Sequence, residues 1–205
     1  MSIIEYMESL IPAGNEQLVK IIQEQDMRDD TNPNIGLQVG RFLSLLIRMM
    51  QAKRVLEFGT CLGYSTVWLA EALRITGGKL ISIEQKKEFL EITRKNIAEA
   101  SLSKFVELIW GDANIVIDQI EGPFDIILQD SDKKLYLLML DRCVNLTRKN
   151  GLIIADDALF KPMGIEKKLS EPIHRYNEQI FSDERLFSTL LPIGDGLAIS
   201  VKLTD

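Results

Sequence analysis

The stretch that most constrains the fold lies at residues 54–66 and reads Arg-Val-Leu-Glu-Phe-Gly-Thr-Cys-Leu-Gly-Tyr-Ser-Thr. It begins as a short apolar run of strand character and continues past two glycines into a helical pattern of apolar residues. A strand, a tight glycine turn and a helix form the unit in which an α/β sheet usually meets a nucleotide-like ligand. Gly59 and Gly63 lack a Cβ, so the backbone can turn sharply there and a ligand can approach it closely.

The acid within this turn separates it from the common dinucleotide-binding motif. The spacing Glu57-x-Gly-x-x-x-Gly differs from the Gly-x-Gly-x-x-Gly of dinucleotide-binding folds. A carboxylate facing the turn would repel a pyrophosphate and attract an amine or a hydroxyl. An ordinary α/β turn that binds no ligand is the alternative interpretation of this stretch.

The whole chain limits the classes of protein to be considered. Its 205 residues, of which 46% are hydrophobic, fit one compact domain with a sizeable core. A net charge of −6 argues against a protein that acts mainly on nucleic acid, because phosphates require a basic face. Cys61 and Cys143 form neither a metal-binding nor a disulfide pattern. We find no targeting segment and no apolar run near the ~20 residues that span a bilayer, and therefore expect a cytoplasmic protein.

Helical spacing dominates the first fifty residues, and strands then alternate with helices. Residues 1–30 suggest two short helices interrupted at Pro12 and Gly14, and another helix is predicted over 37–50. Strands are predicted at about 53–58, 79–84, 105–110, 124–129 and 151–155. The intervening helices are predicted at about 64–75, 86–101, 133–147 and 163–181. We interpret Gly77-Gly78 and Asn150-Gly151 as helix ends.

This alternation predicts an α/β fold with a parallel sheet that is covered by helices on both faces. The chain ends differently, in two strand-like runs at Leu186–Pro192 and Leu197–Leu203 that are joined by Ile-Gly-Asp-Gly. Such a pair predicts an antiparallel hairpin. Five parallel strands and this hairpin make a seven-stranded mixed sheet. No linker or repeat is present, so we expect a single domain over 1–205, with N-terminal helices at 1–50 and an α/β core at 51–205.

Acidic residues follow the predicted parallel strands at their carboxyl ends. They are Glu57, Glu84, Asp112, Asp130 and Asp156. In an open parallel sheet these ends lie along one edge, where ligands bind. Five carboxylates on one edge would repel one another unless a cation or hydrogen-bond donors lie among them. A shared binding function is therefore favoured over five unrelated solvated acids.

The positions of these acids separate their roles. Glu84 comes one strand–helix–strand unit after Glu57 and is placed to accept hydrogen bonds from both hydroxyls of a ribose. Gly111-Asp112-Ala113 would border a base, with Asp112 or the backbone as its hydrogen-bond partner and Ala113 as a small wall. A nucleoside-containing ligand fits this arrangement.

Three carboxylates, two of them among these five acids, form a candidate metal site on two neighbouring strands. Asp130 and the pair Asp156-Asp157 offer oxygen ligands that suit Mg²⁺, Mn²⁺ or Ca²⁺ and do not suit Zn²⁺. Lys133 and Lys134 follow at the start of a helix, where a cation is unfavourable for the helix dipole. A lysine beside a metal would have a lowered pKa and could act as a general base. A solvated helix start is the alternative for either lysine. The helix over 135–146 is interpreted as core-facing, without a chemical role.

The motifs that carry chemistry are Val55-Leu-Glu-Phe-Gly-Thr-x-x-Gly-Tyr-Ser65, Gly111-Asp-Ala113, Asp130-Ser-Asp-Lys133, Ala155-Asp-Asp157 and Leu191-Pro-Ile-Gly-Asp-Gly196. Together and in order, they resemble the motifs of the cation-dependent class I O-methyltransferases. These are the S-adenosylmethionine (SAM) enzymes related to catechol and caffeoyl-CoA O-methyltransferases, with many small bacterial members. The resemblance covers roughly residues 35–203. It implies a Rossmann-like fold, a lid formed by the N-terminal helices and a homodimer.

The resemblance also implies a role for each matched residue. The residues implied to hold the methionine part of SAM are Glu57, Gly59, Thr60, Gly63 and Ser65. Those implied to bind its ribose and adenine are Glu84, Asp112 and Ala113. Asp130 would lie close to the cofactor and would ligate a divalent cation together with Asp156 and Asp157. Lys133 would take the proton from a hydroxyl of a small catechol-like acceptor while the cation holds two adjacent acceptor oxygens.

The chain departs from the family pattern at one position of the metal site. The family usually has Asp-Asn where this chain has Asp156-Asp157. The extra negative charge should strengthen binding of a hard dication, but it also reduces the positive field that acidifies the acceptor hydroxyl.

Three alternative functions compete with this one. The closest is methylation of a hydroxylated wobble uridine in tRNA, for which the chain offers local basic clusters at Arg41, Arg48, Lys53 and Arg54 or at Lys161, Lys167 and Lys168. The others are a nicotinamide oxidoreductase, which the glycine spacing disfavours, and a non-catalytic SAM-binding protein. The sequence as a whole predicts a SAM-dependent O-methyltransferase.

Overall fold

The computed structural model describes residues 2–12 and 15–205, and within these ranges the chain forms eight α-helices and seven β-strands. The helices that precede the sheet are α1 (Ile3–Leu10), α2 (Glu16–Asp26) and α3 (Gly36–Met50). The strands are β1 (Arg54–Phe58), β2 (Lys79–Glu84), β3 (Val106–Trp110), β4 (Phe124–Gln129), β5 (Thr147–Ala155), β6 (Leu186–Leu191) and β7 (Leu197–Lys202). The remaining helices are α4 (Tyr64–Thr76), α5 (Lys87–Glu99), α6 (Ala113–Val116), α7 (Lys133–Leu146) and α8 (Lys167–Ser182). The predicted helix interruption at Gly14 lies outside the described residues.

The strands form one seven-stranded sheet in the order β3-β2-β1-β4-β5-β7-β6. β1 to β5 are parallel, whereas β7 runs antiparallel to both β5 and β6. The predicted Rossmann-like mixed sheet with its C-terminal hairpin is confirmed. The strand order reverses between β1 and β4, and the crevice at such a reversal is where open α/β sheets bind ligands.

Helices cover both faces of the sheet, as the apolar strands predict. Successive β1 side chains enter different layers, because neighbouring residues of a strand point to opposite faces of the sheet. Val55 packs in the layer that contains α3 and α4, and Phe58 packs in the layer that contains α7 and α8. Each of these side chains is fully buried. Burial on two faces explains why the strand reads as a continuous apolar run.

The end of α7 corrects one interpretation of the sequence. Asn150-Gly151 does not end the helix, which stops at Leu146; both residues lie inside β5. The register between β4 and β5 shifts at this point, and Asn150 adopts a φ of 60°. A residue with a short polar side chain tolerates this left-handed conformation. Asn150-Gly151 therefore forms an irregularity within β5. The strand begins four residues earlier than predicted.

Two further elements differ from the expectation. α8 begins at Lys167, because Met163 and Gly164 lie in a turn where Gly164 has a φ of 76°. The short helix α6 was not predicted; Asp112 caps it by accepting a hydrogen bond from the Asn114 amide at 2.8 Å. Four residues are too few to show helical periodicity. Within the described residues, no helix has the length and hydrophobicity needed to cross a membrane.

Candidate active site

A cavity of about 630 Å³ opens at the carboxyl edge of the parallel strands, within the size range of small-molecule sites. It is lined by the glycine turn after β1, the residues that follow β2 to β5, and the starts of α7 and α8. The predicted site residues that line it are Gly59, Thr60, Ser65, Glu84, Ala113, Asp130, Lys133, Asp156 and Asp157. The other three, Glu57, Gly63 and Asp112, do not line it.

The turn after β1 depends on glycine. Gly59 has a φ of 94°, and a Cβ at this position would overlap the carbonyl group of Asp130. Gly63 has a φ of 92°, and its amide donates a hydrogen bond to the Thr60 carbonyl at 2.7 Å. Both glycines thus shape the turn, but only Gly59 brings its backbone to the cavity wall.

Glu84 ties this turn to the end of β2. One of its carboxylate oxygens accepts hydrogen bonds from the backbone amides of Thr60 at 3.2 Å and Cys61 at 3.1 Å. The other accepts one from the Lys86 amide at 2.8 Å. The carboxylate is therefore held in one orientation at the cavity wall, although the side chain is only 7% exposed.

Glu57 lies beneath the turn, inside the protein. Its carboxylate accepts hydrogen bonds from the hydroxyls of Thr66 at 2.7 Å and Ser82 at 2.5 Å, while the second oxygen has no hydrogen-bond partner among the described residues. Burial raises the pKa of Glu57 to about 7, although the neighbouring hydroxyls of Ser65, Ser82 and Thr66 lower it. Its position behind the cavity wall was not evident from the sequence.

The segment after β3 reaches the cavity through small groups. Gly111 and Ala113 line the cavity, whereas Asp112 is exposed and its side chain caps α6. Ala113 is buried, with 7% of its surface accessible. Ala113 thus forms part of the cavity wall, whereas the Asp112 carboxylate caps α6.

The three predicted metal ligands meet at the ends of β4 and β5. Asp130 and Asp156 are held by strand-like hydrogen bonds, from the Asp130 amide to the Phe58 carbonyl at 3.0 Å and from the Asp156 amide to the Gln129 carbonyl at 3.1 Å. Asp157 follows with a φ of 64°. One carboxylate oxygen from each of the three acids lies within 4.8 Å of the other two. The sequence-predicted cluster is therefore assembled by the fold.

The charged forms of Asp130 and Asp156 are disfavoured by burial and by neighbouring negative charge. Burial raises the pKa of Asp130 to about 6, with repulsion from Asp157 adding to this and attraction to Lys133 opposing it. Burial and the charges of Asp130 and Asp157 raise the pKa of Asp156 well above its usual value. Oδ1 of Asp156 is buried and has no hydrogen-bond partner in the described part of the chain. The cluster thus favours a bound proton or cation.

Lys133 supplies a cation at this cluster. Its Nζ lies 2.6 Å from Oδ2 of Asp157, 3.2 Å from Oδ1 of Asp130 and 2.9 Å from the hydroxyl of Tyr136. Burial disfavours the ammonium, but Tyr136, Asp130 and Asp157 favour it more strongly and raise the pKa of Lys133 well above its usual value. Lys134, in contrast, is exposed, as expected for a solvated helix start.

Sequence reasoning missed two contributors to the site. Tyr136 belongs to the helix that was interpreted as purely structural, yet its hydroxyl contacts Lys133. A spacing of three residues from Lys133 on one helix was the available signal. Asp195 lines the cavity from the β6–β7 loop, whose backbone binds the segment after Asp157 through the Leu159 amide and the Asp195 carbonyl at 3.0 Å. The motif around Asp195 contributed to the family resemblance, but its residues alone indicate no role for this acid.

The N-terminal region completes the wall of the cavity. α2 contributes Ile21 and Gln25, and the loop before α3 contributes Asp30 and residues 32–35. The side-chain amide of Asn34 donates to the side-chain oxygen of Gln25 at 2.8 Å, which joins the loop to the helix. The region that precedes the sheet therefore encloses the site from one side.

Comparisons with known proteins agree with this geometry. Residues 11–203 match a protein family described as O-methyltransferase. The chain is 33% identical to a catechol O-methyltransferase of Niastella koreensis over 175 residues, 79% of each chain. It is 30% identical to caffeoyl-CoA O-methyltransferase 2 of Petunia hybrida, covering 80% of this chain and 74% of that protein. A crystal structure of an O-methyltransferase from Bacillus cereus in complex with SAH is similar, with a TM-score of 0.84 and 26% identity, covering 97% of this chain and 96% of that one.

Proposed function

The chain belongs to the O-methyltransferase family and is an enzyme of that class, and on this premise we propose that it transfers a methyl group from SAM to a hydroxyl of a small catechol-like acceptor with the help of a divalent cation. The observation that carries the proposal is the meeting of Asp130, Asp156, Asp157 and Lys133 at the cavity beside the glycine turn. We assign the glycine turn to binding of the cofactor and the charged cluster to binding of the acceptor.

The cavity wall suits SAM in several respects. The Glu84 carboxylate is placed for ribose hydroxyls, and Ala113 leaves room for a flat base beside it. The Gly59 backbone is free of a side chain where the methionine part would pass. The hydroxyl of Ser131, another lining residue, is buried and has no hydrogen-bond partner among the described residues, so a ligand group could satisfy it. A relative of 26% identity has been crystallised with SAH, which is SAM without its methyl group.

The acidic cluster fits a hard divalent cation. Asp130, Asp156 and Asp157 would be its protein ligands, because carboxylate oxygens are preferred by Mg²⁺, Mn²⁺ and Ca²⁺. Oδ1 of Asp156 is buried and has no hydrogen-bond partner among the residues that the structure describes, and the pKa values of Asp130 and Asp156 are raised. A dication would relieve both conditions. When bound, the ion supplies positive charge that favours the deprotonated form of an acceptor hydroxyl.

Lys133 is the group that we assign to proton removal. Its Nζ lies at the edge of the cluster, where an acceptor hydroxyl directed at the acids would come within reach. Tyr136, Asp130 and Asp157 hold the pKa of Lys133 high, so Lys133 can accept a proton only when the negative charge of the two acids is offset by other cations. Asp157 contributes to this charge, and the family usually has a neutral Asn in its place. The acid at position 157 should therefore tighten cation binding and slow proton removal.

The N-terminal residues 1–50 are proposed to act as a lid over the core at 51–205. Support comes from α2 and the loop before α3, whose residues line the same cavity as the acidic cluster. The lid region also sets the space that an acceptor can occupy. We place the acceptor among small phenols because the names of the relatives specify catechol and caffeoyl-CoA.

Transfer of a labelled methyl group from SAM to catechol tests the proposal. We expect that a chelator abolishes transfer and that added Mg²⁺ or Mn²⁺ restores it. K133A should lower kcat by roughly 10²- to 10⁴-fold, the usual contribution of a general base. Binding of SAH to K133A, measured by calorimetry, should remain close to that of the wild type. Activity that is indifferent to chelators would show that the metal assignment is wrong.

The tRNA alternative gains no support from the relatives reported above. Several of the cations considered for a basic patch are already engaged: Arg54 binds the Glu121 carbonyl at 2.6 Å, and Lys168 pairs with Glu166 at 2.9 Å. Lys161 lies 3.7 Å from Glu171. Salt-dependent binding of tRNA in the micromolar range or tighter would favour this alternative over a phenolic acceptor.

A further inference from the structure

We propose that Tyr136 is a positioning residue that holds the Lys133 ammonium group at the acidic cluster. The inference rests on the proposed role of Lys133 as the proton acceptor. It adds a residue that lies outside the cavity wall and outside the acidic cluster.

Tyr136 contacts Lys133 in two ways. Its hydroxyl oxygen accepts a hydrogen bond from Nζ at 2.9 Å, and Nζ lies 5.0 Å from the centre of its ring. The second distance is within the range of a cation–π interaction. The two residues are one helical turn apart on α7, so the geometry is set by the helix itself. Lysine has a long flexible side chain, and two contacts from one rigid ring restrict it.

Tyr136 is itself fixed by its surroundings. The side chain is fully buried, and its ring packs edge-on against Tyr176 of α8, with centroids 5.7 Å apart and planes at 81°. Tyr176 is also buried, and its hydroxyl accepts a hydrogen bond from Nε2 of Gln129 at 3.1 Å. Gln129 is the last residue of β4, directly before Asp130. The ring is therefore anchored to the same strand end that carries the acid.

A neutral hydrogen-bond partner can hold the Lys133 ammonium without adding charge to the acidic cluster. The Lys133 ammonium has three N–H groups, and the structure gives it three partners: Asp130, Asp157 and Tyr136. The two acids are also the proposed ligands of a cation, so their oxygens serve two purposes. Among the described residues, the phenol oxygen hydrogen-bonds to Lys133 only, and it adds no negative charge to three crowded carboxylates. Tyr136 thus keeps Nζ in place while the acids bind another ion.

The variant Y136F tests this inference, because it removes the hydroxyl and keeps the ring. We expect kcat for methyl transfer to fall about tenfold, which corresponds to about 1.4 kcal/mol, with KM values for acceptor and SAM within about twofold of the wild type. A crystal structure of Y136F without ligands should show Nζ of Lys133 displaced from its position between Asp130 and Asp157.

Y176F is the matched control. It also removes one buried phenol hydroxyl from the same ring pair, but that hydroxyl contacts Gln129 and not Lys133. It should lower the melting temperature and leave kcat within about twofold of the wild type, because the Tyr176 ring that packs against Tyr136 is kept. Equal losses of kcat in the two variants, or wild-type kcat in Y136F, would overturn the inference. If the wild type transfers no methyl group, the proposed function fails, and an unmoved Lys133 in the Y136F crystal would separately refute the positioning role.

Discussion

Glu57 is the residue whose chemistry depends most on the tertiary structure. Its carboxyl group is fully buried beneath the glycine turn, and burial raises its pKa to about 7 from an ordinary value of 4.5. The folded protein therefore retains a proton that the unfolded chain releases above about pH 4.5. The contribution of Glu57 to stability must fall as the pH rises between these two values, because the unfolded state then gains by ionising.

We predict that E57Q removes this pH dependence. The free-energy difference between the variant and the wild type should grow in favour of E57Q by about 3 kcal/mol from pH 4.5 to above pH 7, since each unit of pKa is worth about 1.36 kcal/mol. Denaturant unfolding of both proteins at several pH values, without SAM, measures this free-energy difference. Groups common to both proteins cancel in the difference. A constant difference across this range would mean that Glu57 ionises in the folded state as it does in the unfolded chain.

At the same scale, Lys133 shows which contacts the sequence could predict and which it could not. The sequence placed a lysine three residues after Asp130, and the structure brings its Nζ within 3.2 Å of that acid and 2.6 Å of Asp157. The second distance joins residues 24 positions apart, and no local rule predicts it. Tyr136 was overlooked because a buried tyrosine on a core helix has the same sequence pattern whether or not its hydroxyl is used.

At the scale of the secondary-structure element, the turn between β1 and α4 requires glycine at position 59. Gly59 has a φ of 94°, and the Asp130 carbonyl occupies the space that a Cβ would need, so both conformation and space exclude a side chain. Displacing that carbonyl would shift Asp130 itself, which links the glycine turn to the acidic cluster.

We therefore predict that G59A lowers stability and SAH affinity more than a glycine substitution whose only cost is backbone strain. Gly164 is the matched control, because its φ of 76° is similarly left-handed but no atom of the described residues lies within 4 Å of the position that a Cβ would take. G164A should lose about 1–2 kcal/mol of stability from strain. G59A should lose more, and its affinity for SAH should fall at least tenfold. Equal effects of the two substitutions in calorimetry and thermal unfolding would show that the Asp130 carbonyl moves aside without cost.

The strand β5 illustrates why element boundaries were less predictable than element types. Asn150-Gly151 has the composition of a helix end, and only the pairing of β5 with β4 shows that it lies within a strand. The left-handed conformation that suits a helix C-terminus also suits a strand irregularity. Local sequence cannot distinguish the two.

At the scale of the whole molecule, α1 has no extensive packing against the other described helices and strands. Its apolar side chains Tyr6, Met7 and Leu10 are 52%, 43% and 64% exposed. Apolar groups collected on one exposed helix are a common sign of an interface. The homodimer implied by the family resemblance would cover them, and we propose that α1 lies in its interface.

The double variant Met7→Asp with Leu10→Asp should shift the protein from dimer to monomer in sedimentation velocity, because two charges would be buried at the interface. Leu203→Asp is the control, since Leu203 is similarly exposed at 45% but follows β7, far along the chain from α1. It should leave the sedimentation coefficient unchanged. A wild-type protein that sediments as a monomer at micromolar concentration would contradict the proposed dimer.

Much of the molecule was determined by the sequence itself. Continuous apolar runs alternating with helical periodicity specify a parallel sheet with two covered faces, because each pattern can bury its apolar groups in only one kind of element. The acids after the strands were predictable as a group, since parallel strands bring their carboxyl ends to one edge. Tertiary structure decided which of these acids face the cavity. It placed Glu57 behind the wall, turned Asp112 to cap α6, and set Lys133 and Tyr136 beside the acids. Side-chain direction and burial arise from packing between distant segments, and these properties, not residue type, determine charge and reactivity.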